Sequence, residues 1–269
     1  SLITNIGYDH QAILGDTIGA ISSEKAGIIK SGVPAVISTK QEEAETVFQI
    51  KSRQESAPLY FATDRYRVEF VKGDLERQVF QVYRDEQLFL AGLELDLTGA
   101  YQKYNLPGVL QVLELLDQKG FSIPIEALRS GLSHAKRITG LKGRWQKLND
   151  VPLTICDTGH NEDGIKQIVQ QLEALKPKQV HMVFGAVNDK DISKVLKLLP
   201  QNYTYYFCQA DIPRALPVDE LQKLAQETRL KGMAYHTVKA AVDAAKANAA
   251  PDEVIFIGGS TFVVAEIEE

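Results

Sequence analysis

The sequence predicts an α/β protein built in two parts, and three observations predict it. From residue 152 onward, β-rich runs and helical stretches alternate five times, from "LTICDT" followed by "EDGIKQIVQQLEAL" to "EVIFIGG" followed by "STFVVAEIEE". That rhythm is the signature of a parallel sheet wrapped by helices. Residues 59–97 are patterned differently. There "LYFATDRYRVEFV", "QVFQVYRD" and "EQLFLAGLELDL" alternate in polarity and break at Lys72-Gly73-Asp74 and at Arg84-Asp85, as antiparallel hairpins do. Between the two lies "KRITGLKGRWQKLND" (136–150), a basic, glycine-containing stretch read as a linker. The expected domains are 1–138 and 139–269.

The elements follow in order. The chain opens inside an apolar, strand-like run (Leu2, Ile3, Ile6) with no initiator Met. Asp16 and Thr17 then mark a helix start, and Ile18, Ile21 and Ile28 recur at helical spacing. Lys25 falls within about 20° of Ile18 around that helix, in the apolar stripe. An unpaired buried ammonium is costly, so its place there asks for a reason. "VPAVIS" (33–38) is a short strand, and 41–57 a polar helix with Ala44, Val47 and Ile50 on one side. Leu106, Val109, Leu110, Val112 and Leu113 give 102–120 the spacing of a buried helix, with Pro107 suited to its first turn. "PIEALRSGLSHA" is one more short helix.

Composition excludes several classes of function. The 269 residues are 44% hydrophobic and 24% charged, ordinary for a globular protein, and the net charge of −5 offers no basic footprint for nucleic acid. No apolar run reaches membrane-spanning length. Cys156 and Cys208 stand in no CxxC or zinc spacing and read as small buried residues of a reducing, cytoplasmic protein.

Ligands of parallel sheets gather at the carboxyl ends of the strands. This directs attention to Asp157-Thr158-Gly159-His160-Asn161, to Asn188-Asp189-Lys190, and to Gly258-Gly259-Ser260. A carboxylate at such a strand exit can accept two hydrogen bonds from a vicinal diol such as ribose. Equally, Asn161 can cap the next helix while Asp157 and His160 hold the loop. Arg144 can reach phosphate oxygens with its planar fork, or dock one domain on another. His10, after Asp9 at another strand exit, suits a metal but has no His or Cys near it in the sequence. Gly258-Gly259-Ser260 is an anion seat of backbone N–H groups, or a simple cap by Ser260. Neither a GxxxxGK[ST] phosphate loop nor a GxGxxG fingerprint occurs.

Together the motifs carry a resemblance. "ITNIGYDHQAILGDTIGAISSEKAGIIKSGVPAVIS" resembles the middle of a bifunctional folylpolyglutamate synthase/dihydrofolate synthase, of the Mur ligase superfamily. "LTGAYQKYN", "GRWQ", "DTGHN", "NDKD" and "GGSTFVVAE" are similar to later landmarks of that family, in the same order. Thr158, Tyr101 and Leu106-Pro107 depart from its commoner forms. The resemblance implies the end of a central P-loop-type ATPase domain with a small antiparallel β insertion, followed by a Rossmann-like C-terminal ligase domain. It implies a C-terminal portion lacking the upstream phosphate loop, and therefore inactive alone. The implied reaction is ATP-dependent addition of L-glutamate to a folate or to dihydropteroate through an acyl phosphate, in a monomeric enzyme of folate metabolism. ATP and Mg2+ are the implied cofactors, with room for a second metal or K+.

By the same resemblance Lys25 is the lysine carbamylated by CO2, His10 a magnesium ligand, and Asn105, Arg144 and Asp157 contacts of ATP. His160 and Ser260 are candidates for the glutamate site, His160 also for catalysis. Two rival readings are a peptidoglycan-precursor ligase, against which SSEKAGIIK argues, and a non-catalytic nucleotide-binding module.

Overall fold

The computed structural model describes residues 1–8, 15, 17–188 and 192–267. They form two compact units, Ser1–Leu141 and Lys142–Glu269.

Unit 1 begins with a parallel sheet in which β2 (Ala35–Ile37) lies between β1 (Leu2–Ile3) and β3 (Leu59–Phe61). Helix α1 (Ile18–Ala26) starts where the Thr17 side chain accepts the Ala20 N–H, and α2 spans Glu42–Gln54. Ile3, Ile6, Ile18, Ile21, Ala44 and Phe48 are buried together between these elements. Two expected members of the helix faces are not there. Ile28 lies beyond the end of α1 and is exposed, and Ile50 is exposed while Phe48 takes the inner face of α2. The apolar stripe of α1 is completed by Ser22 and Ala26, and Lys25 is half-buried rather than buried.

Leu59–Phe61 is likewise not the start of a hairpin strand, since it pairs in parallel with β2. The antiparallel sheet itself is β4 (Tyr66–Gly73), β5 (Gln78–Arg84) and β6 (Gln87–Leu95). Asp85 and Glu86, with φ of 50° and 61°, make the tight turn between β5 and β6. Its inner face, with Phe80, Val82 and Leu93, packs on Leu106 and Leu110 of α3 (Gln102–Gln118). Pro107 is the sixth residue of α3, not part of its first turn. Two short helices, α4 (Ile125–Ser133) and α5 (Ala135–Thr139), finish the unit.

Unit 2 is a six-stranded sheet of β7 (Gln146–Asp150), β8 (Leu153–Cys156), β9 (Val180–Phe184), β10 (Thr204–Cys208), β11 (Gly232–Tyr235) and β12 (Val254–Gly258). Their order is β11-β10-β9-β12-β8-β7, parallel throughout except for the β7–β8 hairpin. β7 occupies part of the stretch read as a linker. It is a partly exposed edge strand with Leu148 as its only apolar residue, so it shows no alternation.

Helices α6 (Glu162–Ala174), α7 (Ile192–Leu196), α8 (Val218–Glu227), α9 (Val238–Asn248) and α10 (Thr261–Ala265) complete the unit. On one face Val183, Tyr206 and Ile257 are buried with Ala241 and Ala245 of α9 and Val263 of α10. Ile165, Ile168 and Leu172 of α6 are buried outside that cluster, against the other face. The chain therefore leaves β8 and β12, which are neighbours, toward opposite faces. That divergence opens a crevice at their carboxyl ends, the usual ligand position of such sheets.

The opposite end of the sheet holds a buried polar chain. His181, 5% exposed, has Nδ1 2.9 Å from the Tyr206 hydroxyl and Nε2 2.9 Å from Glu253 Oε2. A carboxylate only accepts, which assigns the imidazole proton to Nε2. The Ala250 N–H and then His181 hold the Glu253 carboxyl below its ordinary value. A carboxyl lowered by folding stabilises above its unfolded pKa, and that stabilisation is lost as pH falls through the folded one. Wild-type protein is therefore expected to lose melting temperature more steeply than Glu253→Gln below the ordinary carboxyl value of 4.5. Parallel melting-temperature profiles for the two proteins would refute this.

Candidate functional site

Asp157, the residue after β8, is 3% exposed. Its Oδ2 accepts the Trp145 N–H and its Oδ1 the Gly159 N–H, both at 2.7 Å. A carboxylate oxygen carries two lone pairs, so accepting a backbone N–H is compatible with accepting a ligand hydroxyl as well. The entry turn of unit 2 is fastened to the same strand exit. The Thr158 N–H donates to the Gly143 carbonyl at 3.0 Å, and the Gly143 N–H to Gln146 Oε1 at 2.7 Å. Gly143 and Trp145 have φ of 66° and 49°, so the turn passes through the left-handed region twice. Arg144 sits between two residues clasped to the Asp157 loop. Its Nη1 is 3.4 Å from the Gly143 carbonyl, a weak contact that leaves the planar fork capable of meeting phosphate oxygens.

The remaining candidates of unit 2 stand at the same end of the sheet. His160 Nδ1 donates to the Thr158 carbonyl at 2.8 Å, which makes Nε2 the accepting nitrogen of a neutral ring. Asn161 caps α6 by accepting the Gly164 N–H at 2.8 Å. Ser260 caps α10 by accepting the Phe262 N–H at 3.2 Å and is 4% exposed, so the capping alternatives weighed for both residues are realised. Arg214, which no sequence pattern singles out, lies after β10 with its guanidinium 4.7 Å from the centre of the Phe262 ring. It adds a cation beside the start of α10.

In unit 1, Asn105 lies on α3, its Nδ2 donating to Gln102 Oε1 at 2.9 Å. Ser38, just past β2, ties that helix down by donating to the Tyr104 carbonyl at 2.6 Å and accepting the Gly108 N–H at 3.0 Å. A Cβ on Gly108 would stand 2.7 Å from the Ser38 side chain, so this close approach requires glycine. Among the described residues the Lys25 side chain makes no ion pair or hydrogen bond, while its carbonyl accepts the Ile28 N–H at 3.3 Å. His10, the candidate metal ligand, lies outside the described residues, as do Asp9, Asp16, Asp189 and Lys190. Among the described residues no three His, Cys, Asp or Glu side chains gather closely enough to hold a metal. No helix among them is long and apolar enough to cross a membrane.

The fastened turn, the Asp157 exit and the start of α10 all fall within one family match. Residues 143–261 match the family described as "Mur ligase, glutamate ligase domain". Around this match the likeness extends through unit 1. The chain is 30% identical over 273 residues to the folylpolyglutamate synthase of Lacticaseibacillus casei, covering all of this chain and 61% of that protein. It is 28% identical over 274 residues to the dihydrofolate synthase/folylpolyglutamate synthase of Bacillus subtilis, covering all of this chain and 62% of that one.

Among solved structures, the folylpolyglutamate synthase of Mycobacterium tuberculosis complexed with ADP superposes with a TM-score of 0.84 at 24% identity, over 99% of this chain and 62% of that one. At that identity the superposition establishes the α/β fold. The chain thus spans about three fifths of the length of the curated relatives it matches. The resemblance carried by EKAGIIK, DTGHN and GGSTFVVAE is borne out.

Proposed function

We propose that this chain supplies the carbamate lysine and the glutamate-ligase domain of an ATP-dependent amide ligase that adds L-glutamate to folate or dihydropteroate. ATP phosphorylates the substrate carboxylate, and the amine of glutamate attacks the acyl phosphate and expels phosphate. Orientation of the reacting groups and electrostatic stabilisation of the transferring phosphoryl group are the effects this chemistry needs. The observation that carries the proposal is the clasp that fixes Arg144 beside Asp157 at the switch point of the sheet. It sets a diol acceptor next to a phosphate-binding cation, the two halves of a nucleotide.

Asp157 is assigned to the ribose, Arg144 to a phosphate, and Asn105 to the adenine edge. His160 and Ser260 are assigned to the incoming glutamate, with Arg214 as a cation for one of its carboxylates. His160, through Nε2, would accept the proton that the glutamate amine sheds during attack. Lys25, as the neutral amine, takes up CO2 to become a carbamate and releases a proton, which turns a donor into a carboxylate that helps place the acyl phosphate. The named relatives and the ADP complex of the M. tuberculosis protein support this assignment.

Magnesium would lower the charge of the transferring phosphoryl group. The described residues gather no donor set for it, and His10 is the ligand this chain would contribute. No phosphate cradle is assigned to these 269 residues, which contain no glycine-rich phosphate loop.

Calorimetry with adenosine, ADP and ATP tests the nucleotide assignment. Binding to the chain is expected to be weak, nearer millimolar than micromolar, since roughly 4 kcal/mol separates the two and most of the triphosphate is unheld. Arg144→Ala should erase the preference for ADP and ATP over adenosine and leave adenosine affinity unchanged. A preference that survives Arg144→Ala, or no nucleotide binding at all, would remove the nucleotide from this crevice.

A further inference from the structure

We propose that Ser22 is a positioning residue for the Lys25 carbamate; the inference rests on the carbamate assigned to Lys25 above. Ser22 is fully buried in α1, and among the described residues its Oγ has no hydrogen-bond partner. A serine inside a helix commonly discharges its hydroxyl on the carbonyl four residues back, but Ser22 makes no such bond to Ile18. An unmade hydrogen bond on a buried hydroxyl costs stability, so the site holds a donor that lacks an acceptor. Lys25 stands three residues further along the same helix.

Helical side chains lean toward the N-terminus, so the lysine stem covers the turn that holds Ile21 and Ser22. Lys25 is itself half-buried, and no acidic residue among those described pairs with it. Two groups on one helix face thus lack a counterpart, and a single chemical change answers both. The neutral Nζ attacks the carbon of CO2, an N–C bond forms, a carbon–oxygen π pair moves onto oxygen, and one nitrogen-bound proton leaves to water. The side chain is then two bonds longer and ends in two acceptor oxygens. It can fold back over the preceding turn to a hydroxyl that Nζ does not contact. Ser22 donates to one carbamate oxygen and fixes the direction of the other.

A serine kept only because the turn needs a small side chain would behave differently, and the two cases separate in one experiment. The 269-residue protein is titrated with isotope-labelled bicarbonate, and the carbamate is followed by carbon NMR, with melting temperatures measured alongside. Lys25→Ala identifies the Lys25 resonance by removing it. Ser22→Ala is expected to need about tenfold more bicarbonate for half-occupancy, as loss of one hydrogen bond to a charged group predicts. Its melting temperature should be unchanged or higher, because it deletes an unpaired buried hydroxyl.

Ser22→Cys, of nearly the same shape but a weak donor, should fall between. If Ser22→Ala does not fold, the comparison passes to Ser22→Cys. Half-occupancy equal to wild type in the folded variant overturns the role of Ser22 alone. Absence of any Lys25-dependent resonance in wild type overturns the carbamate itself, and the role of Ser22 with it.

Discussion

Gly259→Ala is expected to destabilise unit 2 by about 3–5 kcal/mol, among the largest effects of any single methyl in the chain. Gly259 has a φ of +87°, a conformation that costs any other residue roughly 1–2 kcal/mol. A Cβ there would also stand 2.6 Å from the Gly185 carbonyl oxygen and 2.6 Å from the Phe184 ring. Neither neighbour can give way. Gly185 donates its own N–H to the Gly258 carbonyl at 3.3 Å, and Phe184 is fully buried. The control is Gly140→Ala, where φ is +65° but nothing lies within 4 Å of the added carbon. It should cost only the conformational part, about 1 kcal/mol. Urea unfolding measures both, and a Gly259→Ala protein no less stable than Gly140→Ala would show that the crevice floor is compliant.

Asp157→Ala is expected to remove about 2–5 kcal/mol, because it leaves the Trp145 and Gly159 N–H groups without their acceptor. Asp157→Asn keeps one acceptor oxygen and should lose about half as much. The chain supplies its own reporter. Trp145 is the single tryptophan, 1% exposed, and rests 6.1 Å from Phe256 between ring centres. Its emission should shift to the red in Asp157→Ala under native conditions, before global unfolding, as the turn lets water in. An unshifted emission with wild-type stability would mean that the turn is held by its other hydrogen bonds and that Asp157 is kept for a ligand alone.

The two halves of the molecule differ in how far their sequence discloses them. Val180–Phe184 and Val254–Gly258 are buried along their whole length, so, His181 apart, they stand out as apolar runs between helical stretches. Gln146–Asp150, partly exposed at the sheet edge, carries no such mark and is recognisable only by its pairing with β8. Leu59–Phe61 shows the limit of local pattern differently. Its residues favour a strand, but nothing in them chooses a parallel partner over the hairpin that follows.

Helix faces fail at their ends: Ile28 fits the period of α1, yet the helix stops at Ala26. At the candidate site, the place of Asp157 follows from the strand–helix alternation. Its bond to Trp145 does not, because that bond depends on a positive φ at a tryptophan, which no propensity anticipates. Arg214 is invisible for a similar reason, since its neighbour Phe262 is 48 positions away and brought near only by the fold.

The clasp at the entrance of unit 2 also has a mechanical side. The Gly143 carbonyl is held by Thr158 and the Trp145 N–H by Asp157, both within four residues of the domain's first residue, Lys142. A load drawn along the backbone through Leu141 is therefore borne by the Asp157 loop before it reaches any helix of the domain. These bonds lie at the open end of the β7–β8 hairpin, so they take the load before the ladder itself does. Pulled from residue 142, the domain should yield first at the loop assigned to the ribose, and a ligand seated there would raise the force at which it gives.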